Sequence, residues 1–274
     1  MERLLLDQKL AREIELAEAQ AAVACVEKLK ELQPDVHGAV ESLAGGYAIY
    51  CGANSPVTQA VGLGLGEQPV TTEEFRALEE FYFSRQEPVR VETCPLADAS
   101  LFDHYRTYGY RVTEFSNVMA RPVSKPENST AKGIAVSRAG RDELDLWALT
   151  VAQGFAENSP VAKEILSVMK MFAMAASTEC YLARIAGRVA GGATLALRGR
   201  IAGLFGASTL PGFRKRGVQT ALLYARLERA EQAGCELAVS LAQPGSISQR
   251  NITRQGFQTL YTRVKFERGC PTTN

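Results

Sequence analysis

The sequence predicts an α/β chain (α+β in the order of its elements) built as two lobes of similar plan. Three observations carry this. Strand-like runs rich in β-branched and aromatic residues alternate with helix-like runs of Ala, Leu, Glu and Lys. The order of those runs in the first half recurs in the second. Between the halves lies "PVSKPENSTAKG" (122–133), whose prolines and small polar residues read as a linker. We place the lobes at 1–121 and 132–274, joined by 122–131.

The opening "LLLDQKLAREIELAEAQAAVACVEKLKEL" has strong helix formers throughout and predicts a long helix ending before Pro34. "GGYAIYCGANSP" and "TQAVGLGL" follow, then the helix-like "TTEEFRALEEFYFSRQ" and the strand-like "PVRVETC". "ADASLFDHYRTYG" is helix-like and "YRVTEFSNVMAR" strand-like. After the linker come "IAVSRA" as a strand and two helical stretches through "ELDLWALTVAQGFAEN" and "PVAKEILSVMKMFAMAAS". "ECYLARIAG" and "RVAGGATLALRG" read as a hairpin and "RIAGLFGASTL" as a further strand. The chain closes with helix "GVQTALLYARLERAEQAG", strand "CELAVSLAQ", helix "SISQRNITRQG" and strand "FQTLYTRVKFER".

Gly109-Tyr110 matches Gly256-Phe257, an offset of 147 residues, and "AGGYAIYCG" falls on "GGATLALRG" at the same offset. Few residues are identical, so the repeat is one of structure. Under this alignment Glu67 faces Arg214, Pro69 faces Arg216 and Val70 faces Gly217. The second lobe concentrates cations and a glycine where the first has an acid and a proline.

With 274 residues the chain is long enough for two ordinary domains, and 46% hydrophobic with 22% charged residues is a globular composition. Lys+Arg 31 against Asp+Glu 30 gives a net charge of +1, which argues against a general nucleic-acid surface. Six cysteines at wide spacing without a CxxC, and only two histidines (His37 and His104), supply few metal ligands. We read the cysteines as reduced thiols and expect no metal site. The first twenty residues are charged throughout, without an apolar core of signal-peptide length, and no apolar run approaches the ~18 residues of a membrane span. The expectation is a soluble, cytoplasmic protein without membrane partners.

The chemistry-bearing stretch is "LPGFRKRGVQTALLYARLERA" (210–230). Arg214, Lys215 and Arg216 stand at a helix start, where unpaired N–H groups already carry partial positive charge. Cations there are unfavourable unless an anion occupies the turn. A triphosphate P-loop would need Lys-Ser or Lys-Thr after its second glycine, and none follows Gly217. A dinucleotide fingerprint would need GxGxxG directly after the first strand of a parallel unit, and that spacing is absent.

A strand, Pro211, an aromatic, Arg214-Lys-Arg-Gly217-Val-Gln219 and a helix remain. This resembles the GNAT (GCN5-related N-acetyltransferase) superfamily, whose pattern is Arg/Gln-x-x-Gly-x-Gly/Ala between its fourth strand and third helix. Gln219 departs from the small residue of that pattern. The resemblance covers about residues 132–268, including the closing "QGF". The first lobe matches only in element order, as a degenerate GNAT-like lobe. Each lobe is then expected to be a mixed, mostly antiparallel twisted sheet flanked by helices.

The resemblance implies acetyl-CoA as cosubstrate. N–H groups from Lys215 through Arg216, Gly217, Val218 and Gln219 to Thr220 would make an anion-binding nest for its pyrophosphate. Gly217 would let backbone approach the phosphates without a Cβ, and an exposed helix start should tolerate most side chains in the fold. Lys215 and Arg216 would add charge contacts beyond Arg214 of the motif. The backbone at Ala207, Ser208 and Thr209 would pair with the pantetheine arm and offer an N–H to the thioester carbonyl.

The catalytic residues are less legible. Relatives often place a leaving-group acid, tyrosine, where this sequence has Ile252, and a CoA-contacting asparagine where it has Gly245. Ser248 and Asn251 are polar neighbours. Tyr261 on the last strand and Glu157 in "GFAENSP" are weak acid or base candidates; a half-buried strand aromatic and a solvated loop acid are the plainer readings. No carboxylate lies on "IAGLFGASTL". His37, His104, Trp147 and the Met-rich "SVMKMFAMA" read as structural.

The leading expectation is an N-acetyltransferase whose C-terminal lobe passes an acetyl group to a primary amine of a small molecule or peptide. The first lobe would serve packing, homodimerisation or one wall of the acceptor cleft. The competing reading is a non-catalytic acyl-CoA sensor or interaction module, which Ile252 favours. A purely structural pair of lobes leaves the three cations at one helix start unexplained.

Overall fold

A computed structural model of the chain describes residues 4–124, 133–156, 159–176 and 178–271. The elements begin with α1 (Gln8–Leu32), β1 (Ala39–Leu43), β2 (Gly46–Tyr50), β3 (Gln59–Val61), α2 (Thr72–Phe83), β4 (Val89–Thr93), α3 (Ala99–Tyr108) and β5 (Arg111–Pro122). They continue with β6 (Ile134–Arg138), α4 (Leu144–Ala156), α5 (Lys163–Met174), β7 (Thr178–Ile185), β8 (Arg188–Arg198) and β9 (Ile201–Thr209). Last come α6 (Val218–Gln232), β10 (Leu237–Ala242), α7 (Ile247–Arg254) and β11 (Gln258–Arg268). The repeat is visible element by element: α2 and α6, β4 and β10, α3 and α7, and β5 and β11 are all separated by close to 147 residues.

The chain divides into two compact units, Met1–Ala120 with Leu241–Asn274, and Arg121–Ser240. This differs from the contiguous division read from the sequence, because α7 and β11 cluster with the first unit. Residues 125–132, most of the expected linker, lie outside the described residues.

In the first unit the strand order is β1-β2-β3-β4-β11-β5. β11 runs antiparallel to β4 (Val264↔Thr93, Phe266↔Val91) and to β5 (Thr262↔Asn117, Val264↔Phe115). β3 and β4 are parallel, with Ala60 opposite Val91. The core joins Phe75, Leu78 and Tyr82 of α2 to Val89 and Val91 of β4 and to Leu101 and Tyr105 of α3. On α1, which Asp7 caps by accepting from the Leu10 N–H, Glu15 is fully buried against Arg263 of β11, 2.7 Å from its Nε. His104 stacks on Phe75, with ring centroids 4.7 Å apart, and His37 closes a short helical turn at φ 54°.

In the second unit the order is β10-β9-β8-β7-β6. β6 to β9 form antiparallel neighbours, and β10 runs parallel to β9. α4 packs on β8 and β9 and against α5, while α6 packs on β6 to β9. Trp147 of α4 is fully buried and donates its Nε1–H to the Ala193 carbonyl at 3.1 Å. Met169 and Met171 of α5 are also buried, so the Trp and these methionines serve the core. Each unit is thus a mixed, mostly antiparallel sheet flanked by helices.

Candidate functional site

β9 carries the first half of the site. Along β8 the two steps from Gly192 to Thr194 face three along β9, from Ser208 to Phe205. The extra residue makes a β-bulge, which breaks the ladder and bends the strand. Gly206 lies in the bulge at φ 59°, and a Cβ there would meet Thr194 Oγ1 at 2.8 Å, so both backbone and space require glycine. On its other edge β9 pairs with β10 only as far as Gly203↔Val239. Ser240 Oγ then donates to the Leu204 carbonyl at 3.0 Å, closing that ladder with a side chain. From Phe205 to Thr209, β9 continues with no β10 partner among the described residues.

Ser208 and Thr209 are buried, while Ala207 is half-buried. Ser208 Oγ donates to the Val151 carbonyl of α4 at 3.1 Å and so holds the strand against that helix. Thr209 Oγ1 is buried with no hydrogen-bond partner among the described residues.

The turn carries the second half. Pro211–Phe213 form a single 3-10 turn; Arg214 is extended, Lys215 is left-handed at φ 60°, and Gly217 is left-handed at φ 84° as the N-cap of α6. Left-handed residues alternating with ordinary ones turn successive N–H groups toward one concave side, an arrangement suited to anions. The Arg214 N–H is already given to the Pro211 carbonyl, so the concavity starts at Lys215. The first intrahelical bond belongs to Ala221, whose N–H donates to Gly217 O at 3.0 Å. The helix's own ladder therefore starts at Ala221 and leaves the preceding turn of α6 outside it.

The three cations divide their work. Arg214 Nη2 donates to the Gly154 carbonyl in the last turn of α4 at 3.2 Å, where the helix end favours a cation. Arg216 lies over the Phe213 ring, 5.6 Å from its centroid, and Arg188 over the same ring at 5.4 Å. Lys215, Arg216 and Gly217 are exposed, whereas Val218 turns its side chain into the core. A Cβ on Gly217 would meet only Ile134 Cδ1, at an ordinary 3.7 Å, so space is open there. Backbone is the constraint. The expectation that most side chains are tolerated at this helix start is corrected by the positive φ, which strains all but glycine and a few small polar residues.

The matching helix start of the first unit shows the contrast. Thr71 caps α2 with a reciprocal box: its hydroxyl accepts from the Glu74 N–H, and the Glu74 carboxylate accepts from the Thr71 N–H. The preceding Val70 N–H donates to Ser100 Oγ at 2.8 Å. The first unit fills its own helix start with an acid, whereas α6 carries no side-chain cap and presents cations.

Sequence reasoning missed Arg226. In α6 it is almost fully buried, with Nη1 2.9 Å from the Thr194 carbonyl and Nε 3.1 Å from that of Leu222. Burial lowers its pKa to about 10. A lone arginine at helical spacing reads as a solvated residue, so the sequence holds no signal for it.

Of the catalytic candidates, Glu157 lies outside the described residues. Tyr261 belongs to the first unit, where its buried hydroxyl donates to Glu15 Oε1 at 2.7 Å. Burial, then the neighbouring carboxylate, raise its pKa, so this phenol is a structural donor there. Ile252, Ser248 and Asn251 lie on α7 of the first unit, and the Gly245 N–H donates to Gln249 Oε1 at 2.6 Å.

A strand that runs on past its pairing with β10, followed by a cation-lined helix start without a side-chain cap, makes a concavity suited to an anion. Residues 147–257 match the family model described as Acetyltransferase (GNAT) family. Among solved structures the chain is similar to a GCN5-related N-acetyltransferase from Kribbella flavida, with 15% identity, TM-score 0.63, and coverage of 93% of this chain and 95% of that one. It is equally similar in fold to a tandem GNAT protein from the clavulanic acid biosynthesis pathway, with 13% identity, TM-score 0.63, and coverage of 97% and 95%. A GCN5-related N-acetyltransferase from Sphaerobacter thermophilus aligns at 17% identity and TM-score 0.57, covering 96% and 95%. No curated protein matches the chain. The fold is that of GNAT proteins in their tandem form. Among the described residues no helix is long and apolar enough to cross a membrane.

Proposed function

We propose that the second unit binds acetyl-CoA and transfers its acetyl group to a primary amine. The observation that carries this is the uncapped start of α6, with Gly217 and Lys215 left-handed and Arg216 exposed beside them. Pyrophosphate suits such a site, because N–H groups, helix dipole and cations all favour negative charge. The buried Thr209 hydroxyl, without a partner among the described residues, and the stretch of β9 beyond its pairing with β10 suit a polar, amide-bearing arm laid along the strand.

In the reaction the amine lone pair attacks the thioester carbonyl carbon. A C–N bond forms, the C–S bond breaks, and the electron pair leaves on sulfur. The amine proton passes to a base or solvent, and the thiolate takes up a proton. A thiol pKa near ~8.5 makes the thiolate a fair leaving group without a dedicated acid. The chain's part is to orient the thioester on β9 and give a backbone N–H to the carbonyl oxygen as it gains charge.

The test is equilibrium binding of acetyl-CoA followed by release of free thiol with a panel of small amines, aminoglycosides and peptides. Saturable binding at one site per chain and thiol release dependent on an amine are expected. Binding with no turnover across the panel would favour an acyl-CoA sensor, and no binding would remove both readings.

A further inference from the structure

The bulge in β9 interrupts its ladder to β8 between the Thr194–Phe205 and Gly192–Ser208 pairs. Arg226 reaches two carbonyls beside the break, with Nη1 2.9 Å from Thr194 O and 3.5 Å from Phe205 O. Its Nε is fixed to the Leu222 carbonyl one turn back on α6, so the guanidinium has a set direction.

No carboxylate is bonded to this cation among the described residues. The buried acid of the unit, Glu179, is engaged elsewhere: Arg229 approaches it at 3.0 Å, Arg138 at 3.5 Å, and the Tyr181 hydroxyl donates to it at 2.8 Å. Among the described residues, the titratable group that acts on Arg226 is the Tyr181 phenol. Burying a cation without a counter-charge is unfavourable by several kcal/mol, and an apolar side chain would fill the position without that penalty.

We propose that Arg226 is a positioning residue that holds the β9 bulge and strengthens its backbone as a donor to the thioester carbonyl. Phe205 C=O and Gly206 N–H belong to one peptide unit. A cation at that carbonyl oxygen draws electron density through the unit and makes the Gly206 N–H a stronger donor. The same fixed charge favours an oxyanion forming along this stretch, with no reorganisation needed as it forms. The inference rests on the acetyltransferase reading.

The test uses the whole protein with two probes, CoA and acetyl-CoA carrying heavy carbon at its carbonyl. Isotope-edited infrared difference spectra report the thioester stretch of the bound molecule. In the wild type that stretch should fall below its frequency in free acetyl-CoA. Arg226→Met should keep CoA affinity within about threefold, under ~0.7 kcal/mol, and lose most of the downward shift. A merely structural arginine would change affinity or melting temperature and leave the stretch of the bound thioester unmoved. A Met variant with the wild-type shift overturns the proposal. If Arg226→Met does not fold, Arg226→Gln decides, since it keeps a hydrogen-bond donor and removes the charge. A diminished shift supports the proposal and an undiminished one overturns it. Wild-type binding without any shift also removes the proposal while leaving acyl-CoA binding intact. Failure to bind either probe is distinguishable, because it removes the acetyltransferase reading itself.

Discussion

Gly154 on α4 lies so close to Ser208 on β9 that a Cβ on the glycine would stand 2.3 Å from Ser208 Oγ and 2.6 Å from its Cβ. The glycine of the helix meets the Ser208 side chain of the strand at that point, and the Ser208–Val151 hydrogen bond sits beside the contact. Gly154→Ala should therefore push β9 outward and destabilise the protein by about 1–3 kcal/mol, as overpacking does. Acetyl-CoA affinity should fall with it. Gly212→Ala is the control: a Cβ there meets nothing within 4 Å, and its effect should stay within about 0.5 kcal/mol. Thermal melts of both variants read the difference.

Charge reversal separates the two helix starts. Arg216→Glu should weaken acetyl-CoA binding by about 10–100-fold, the worth of one charge-assisted contact made repulsive. Glu67→Arg, at the matching position of the first unit, should leave it nearly unchanged. Wild-type affinity should also fall as salt rises, because surface phosphates are screened. Titration calorimetry at two ionic strengths reads all three, and equal effects of the two substitutions would misplace the site.

At Gly217 the left-handed φ of 84° separates backbone strain from ligand approach. Gly217→Val places a β-branched side chain where it is least tolerated and should lose about 1–2 kcal/mol of stability as well as binding. Gly217→Asn is the cleaner probe, since asparagine adopts this conformation readily. Its melting temperature should stay within a few degrees of wild type, on the order of 1 kcal/mol, while acetyl-CoA binding is lost. An Asn variant that binds normally would show that close backbone approach is not needed.

In the first unit Arg263→Met leaves Glu15 fully buried without its cation and should cost about 3–5 kcal/mol. The double change Glu15→Leu with Arg263→Met should recover most of that loss, because removing both charges also removes both desolvation penalties. Denaturant titration of the single and double variants checks the cycle.

Thiol chemistry follows burial. Burial pushes the Cys51, Cys94 and Cys180 thiols up to about 12, and Cys25 and Cys235 are also buried, whereas Cys270 is exposed. A disulfide reagent near about pH 8 should titrate one fast thiol per native chain, because reactivity follows thiolate and access. Cys270→Ser should abolish that phase.

Local pattern made much of this architecture legible. Asp7, Thr71 with Glu74, and Ser246 sit at helix starts as their side-chain chemistry requires. Glycine and cations are distinctive at a helix start and marked the turn before α6, and the repeat offset set it against Glu67, Pro69 and Val70. β1 was not singled out, since "AVESL" is short and half polar. The pairing of β11 was not legible either: alternation tells which face of a strand is buried and says nothing of its neighbours. Arg226 was hidden for a related reason. Its partners are carbonyls beside a bulge between two other strands, which no spacing along α6 records.

The position of β11 bears on how the chain is made. β4 and β5 are synthesised before the second unit, yet the strand that hydrogen-bonds to both follows it in the chain. The nascent first unit must wait on the ribosome with two open strand edges while Arg121–Ser240, a continuous stretch, emerges and can fold. Completion of the first unit's sheet therefore waits until β11 has been synthesised, and a product cut short within the second unit would release those edges unpaired, as targets for chaperones or for aggregation.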